Sequence, residues 1–127
     1  MKQTMLAVIA MAFVFVQCGV NKKQPAQSCV QGKILRISCA SYVVQALNVD
    51  TLGENGWKNQ LDSAAQSFDH VFDVTNKCKL PADLKAGDTI YFTVHPTQPS
   101  DCVSCMMFDA PPAVKYDLQN VSKEPCK

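Results

Sequence analysis

Glycine-rich phosphate loops, a basic stripe and a membrane-length apolar run are all missing from this chain. There are only five glycines, and none is spaced to wrap a phosphate, which argues against nucleotide chemistry. Lysine and arginine number 12 against 11 acidic residues, and the balance becomes even once Lys2 leaves with the leader described below. A neutral domain with scattered charge lacks the dense positive field that a phosphate backbone or anionic lipid surface attracts, so no nucleic-acid partner is expected. Histidine occurs twice and tryptophan once. No serine sits in a strand–turn–helix nucleophile motif. No catalytic constellation emerges, and neither an enzymatic activity nor a cofactor or metal is expected.

What the chain does have begins at its N-terminus. Residues 6–16, LAVIAMAFVFV, are apolar without a break and follow a lone Lys2. The run is short of the roughly 20 residues that span a bilayer and fits the apolar centre of a secretory signal peptide. It stops at Phe15-Val16-Gln17-Cys18-Gly19. A cysteine directly after the apolar run resembles the cleavage site of bacterial lipoproteins. In that family the cysteine becomes the first residue of the mature chain and carries acyl chains. The family prefers Leu and a small residue where this chain has Phe15 and Gln17, so ordinary cleavage near Cys18 or Gly19 stays open. The resemblance implies a signal peptide over 1–17, a lipid on Cys18, and attachment to the cell envelope. Gly19, where Asp would mark inner-membrane retention, favours the outer membrane; without the lipid the chain would be periplasmic or secreted. Residues 18–28 then read as the lipidated cysteine and a polar tether containing Pro25, and 29–127 as the domain.

Seven cysteines are an odd number. Lipidation or cleavage removes Cys18 from the pairing pool and leaves Cys29, Cys39, Cys78, Cys102, Cys105 and Cys126. Six cysteines in an exported domain of this size predict up to three disulfides, whose pairing the spacing does not determine. Cys29 and Cys126 are placed to clamp the two ends. Cys102-Val103-Ser104-Cys105 has the spacing of a redox pair, but Met106-Met107-Phe108 and Pro111-Pro112 follow it, not the helix that would stabilise a thiolate. A thiol–disulfide or metal-binding function at Cys102 and Cys105, with His70 and His95 as conceivable ligands, is the alternative to structural bridges.

The remaining pattern is that of strands. Residues 33–47, KILRISCASYVVQAL, predict one long strand or two joined by a bend at 39–41, with Gly32 as punctuation before them. Trp57, Leu61, Ala64, Ala65 and Phe68 recur at helical spacing and suggest a short helix or irregular segment. From Phe68 the period is two, placing Phe68, His70, Phe72 and Val74 on one face and Asp69 and Asp73 on a solvent-facing one. In residues 89–95 Ile90, Phe92 and Val94 point inward. Residues 105–108 make a short strand, and 114–121 the last one, with Val114, Tyr116 and Leu118 on one face. Five or six strands at short intervals predict an all-β fold: a small antiparallel barrel, OB-like, or a sandwich, braced by disulfides.

The expected function is a non-enzymatic envelope binding module. Its membrane contact is the lipid anchor, and its partner is an envelope protein or a small ligand. Tyr42, Trp57, Tyr91 and Tyr116 are candidates for an aromatic binding face. The segment 102–112, made rigid by two cysteines and a proline pair, is the candidate recognition loop.

Overall fold

A computed structural model describes residues 27–64 and 66–127. The expectations for the signal peptide, for Cys18 and for most of the tether lie outside the described residues. The elements are β1 (Gln27–Ile37), β2 (Tyr42–Ala46), β3 (Trp57–Lys58), β4 (Ser67–Phe68), β5 (Val71–Val74), a single 3-10 turn (Lys77–Lys79), β6 (Thr89–His95) and β7 (Lys115–Ser122). No α-helix occurs among them. Five strands close into a barrel in the order β1-β2-β5-β7-β6, and β3 and β4 form a separate two-stranded hairpin. Four of the five barrel junctions are antiparallel and β5–β7 is parallel. The closed five-stranded architecture is consistent with an OB-like barrel.

Closing so few strands requires strong local bends, and the chain supplies them at irregularities in register. β1 shifts between Gln27 and Val30, where Cys29 takes a φ of 58°, and again between Ile34 and Arg36. The β6–β7 ladder shifts between Tyr91 and Thr93, opposite the stretch where Asn120 has a φ of 53°. Gly32 does not precede β1 but lies within it, paired with Ala46 on one side and Ile90 on the other. A Cβ there would stand 2.7 Å from the Phe92 ring and 2.9 Å from Val44, so the glycine permits a close approach across the barrel.

The barrel interior is filled by alternate residues of every strand. Val30, Ile34, Val44, Phe72, Val74, Ile90, Phe92, Val94 and Leu118 are buried there, with Leu52 and Leu84 added from connections. Phe72 meets Phe92 and Tyr116 edge-on, with ring centroids 6.1 and 5.2 Å apart, the arrangement that aromatic quadrupoles favour. The inward set expected for residues 89–95 is the set observed.

Between β2 and β5 the chain makes a 24-residue excursion, 47–70. Of the short helix or irregular segment expected there, no helix forms among the described residues; β3 and β4 make a hairpin that pairs Trp57 with Phe68, joined by an irregular stretch. The hairpin lies over the outer side of the barrel, where Trp57 and Phe68 pack on Leu35, Val43 and Val71. β5 is therefore buried on both faces. Two expectations change as a result. The strand predicted from Phe68 is broken at His70, whose φ is 59°, so His70 turns the chain and does not share a face with Phe72. Asp73 is not solvent-facing but buried, with the Tyr42 N–H and Lys115 beside its carboxylate. Residues 105–108, expected as a strand, belong to an irregular connection, 96–114.

Candidate functional site

Three disulfides brace the domain. Cys29 joins Cys126 and so clamps the chain ends, as their positions suggested. The other two bridges meet at one place. Cys39 in the β1–β2 connection joins Cys105, and Cys78 in the 3-10 turn joins Cys102. Three separate connections, 38–41, 75–88 and 96–114, are thereby stapled together at one end of the barrel. Cys102 and Cys105 are not bonded to each other, so the 102–105 spacing serves two structural bridges and not a redox couple. Three disulfides point to a chain that matures in an oxidising compartment.

Hydrogen bonds tighten the same junction. The Cys105 backbone N–H donates to the Cys39 carbonyl at 3.3 Å, and the Lys77 ammonium donates to that carbonyl at 2.8 Å. The Cys78 N–H donates to the Cys102 sulfur at 3.2 Å. Lys79 and Asp101 form an exposed ion pair at 3.7 Å.

The far side of the 96–114 connection is fixed by a buried charge. Asp109 pairs with Arg36, the sole arginine of the chain, and both side chains are almost wholly removed from water. The Asp109 carboxylate also accepts from the Ser38 and Ser41 hydroxyls, the latter at 2.6 Å. Arg36 donates to the Asn59 side chain at 2.8 Å and lies 5.2 Å over the Trp57 ring, a cation–π contact. The Trp57 indole N–H donates to the Ala110 carbonyl at 3.1 Å. Glu54 accepts from the Ala113 and Val114 N–H groups at 2.7 and 3.2 Å. Hairpin, barrel and connection thus share one polar knot. Arg36 Nε is buried without a hydrogen-bond partner among the described residues, so the pair is kept by mutual neutralisation and by the bonds of its other atoms.

Between the staples and the knot, the tip of the connection points its apolar side chains outward. Val103 is 89% exposed, Phe108 85% and Met106 fully so. Beside the tip lies a hollow of about 530 Å³ whose lining includes Ile37, Tyr42, Leu80, Pro81, Leu84 and Val103. Tyr42 closes the end of the barrel core beneath it. Its hydroxyl is buried with no hydrogen-bond partner among the described residues. Burial, with Asp88 and Asp83 adding repulsion, pushes its pKa to about 12. Asp73, on the covered outer face, accepts from the Tyr42 N–H at 3.0 Å and has Lys115 3.8 Å away. Burial raises its pKa above the usual carboxylate value, and the hydrogen bond and lysine only partly offset this.

The four candidate aromatics do not share a surface. Tyr42 and Tyr116 belong to the barrel core, Trp57 is buried under the hairpin at 7% exposure, and Tyr91 is half-buried on β6. His70 and His95 are half-buried, His70 at its turn and His95 at the end of β6. The segment 102–112, in contrast, holds both the staples and the exposed apolar tip. Arg36 and Asp109 escaped the reading of the sequence. A lone guanidinium inside the apolar run KILRIS was a signal for the first; nothing local marks the second, 73 positions away. No protein-family model and no curated protein matches the chain.

Proposed function

We propose that this chain is an exported, non-enzymatic binding module of the cell envelope, tethered through a lipid on Cys18, that recognises its partner with the stapled end of an OB-like barrel. The observation that carries the reading is the exposed tip Val103, Met106 and Phe108, held by two disulfides and a buried ion pair. Leaving large apolar side chains in water has no stabilising value for the domain, whereas a rigid apolar anchor binds without a large ordering cost. OB-like barrels offer a side face and the loops beside it for recognition. Here the hairpin and Trp57 pack on Leu35, Val43 and Val71 on the outer side of β1, β2 and β5, and the stapled loop end carries the exposed apolar tip. The bonding of Cys102 and Cys105 to separate loops removes the support for a thiol-exchange role.

The test is the intact mass of the protein purified from its native envelope without reductant. A chain beginning at Cys18 that carries an acyl increment and lacks six thiol hydrogens is the expected product. A full-length chain with free thiols overturns the reading.

A further inference from the structure

We infer that the stapled end is a two-fold interface with a second copy of this chain, the Met106–Phe108 tip of each copy seating in the other's hollow. The inference rests on the binding-module reading and names its partner. A two-fold interface must be self-complementary: one patch has to present both a feature and its counterpart, because each copy offers the same surface. This patch does so. The tip is convex, with Met106 and Phe108 standing free of their own domain. The hollow immediately beside it is concave and apolar, and Val103 and Cys105 of the same connection form part of its wall. Met107 holds the two features side by side through its sulfur, 4.0 Å from that of Cys39, another wall residue.

The charges at the rim fit the same symmetry. Lys79 and Asp101 are both exposed and adjacent, so a copy turned through 180° presents an anion to the cation and a cation to the anion. Little net repulsion opposes the approach, since residues 27–127 carry 9 basic against 11 acidic side chains. A bilayer would also accept an apolar tip, but it has no use for a shaped hollow beside it. The two features together favour a partner with the same knob and the same recess.

Sedimentation of the purified, non-reduced full chain across a concentration series tests this. The wild type is expected to sediment as a dimer. Phe108→Glu, which charges the knob, and Ala82→Trp, which fills the recess from its exposed wall, should each weaken dimerisation at least about tenfold, because each removes two apolar contacts per dimer. Both variants should keep three disulfides and, at a dilution where the wild type is also monomeric, the wild-type melting temperature. Lys79→Glu should weaken dimerisation, and the charge-swapped Lys79→Glu/Asp101→Lys pair should restore it. A monomeric wild type, or a dimer indifferent to Phe108→Glu and Ala82→Trp, overturns the inference. If the chain is monomeric while Phe108→Glu abolishes co-sedimentation of an acyl-free chain begun at Gly19 with phosphatidylethanolamine–phosphatidylglycerol vesicles, self-pairing is wrong and the binding-module reading stands. The intact mass separately exposes a failure of that reading.

Discussion

Two long excursions leave the barrel, 47–70 and 96–114, and they treat their aromatic residues in opposite ways. The first turns Trp57 and Phe68 inward on Val43 and Val71 and becomes part of the packed domain. The second turns Phe108 outward with Met106 and Val103 and is held by covalent staples and a buried ion pair. An excursion that spends its apolar side chains on its own barrel needs no disulfide. One that keeps them in water must be anchored by other means, and here cysteines and Asp109 are those means. Apolar content alone therefore does not distinguish a covering loop from a presenting one.

Five variants and one titration probe that contrast. Asp109→Ala leaves Arg36 charged, buried and unpaired, and should remove about 3–5 kcal/mol of unfolding free energy in a denaturant titration; a loss below about 1 kcal/mol would mean the knot does not hold the presenting loop. Trp57→Ala should cost about 3–5 kcal/mol in the same assay, because it uncovers the outer cluster and also removes a cation–π contact. Cys39→Ser/Cys105→Ser should cost about 2–4 kcal/mol and speed amide exchange in 96–108 while leaving 47–70 protected. An exchange increase in both excursions would erase the distinction drawn here.

Alkaline titration sharpens the boundary at Tyr42. Its pKa rises from 10.0 to about 12 in the folded chain, so the folded state retains a proton that the unfolded state has released. Stability should fall as pH rises from 10 to 12, and Tyr42→Phe should flatten that slope without orphaning any partner. A wild-type curve level across this window would place the hydroxyl in contact with water. The smallest effect is expected at Phe108→Ser, within about 0.5 kcal/mol when measured on the monomer at high dilution; a loss there comparable to that of Trp57→Ala would show that the tip packs on its own domain.

Legibility followed how local each cause was. The alternation of Ile90, Phe92 and Val94 is a property of one strand, and it was readable. The bend at 39–41 also came through, because β-branched residues flank it on both sides. Asp73 obeyed the same alternation and was misplaced, since alternation says which face a residue takes but not whether other parts of the chain cover that face. Trp57, a candidate for an exposed face, was misassigned for the same reason. The recognition segment 102–112 was identifiable from its cysteines and prolines, whereas its outward tip was not: exposure depends on what else packs nearby.

By itself the amino-acid order determined an all-β, cysteine-braced domain of balanced charge, because strand period, cysteine number and net charge are carried by neighbours or by simple counts. Tertiary structure decided which cysteines pair, which outer face is covered, and that Asp109 neutralises Arg36. The cysteine pairs and the ion pair join residues 24 to 97 positions apart, and the covered face needs the hairpin to land on barrel strands; only the closed barrel brings these groups together.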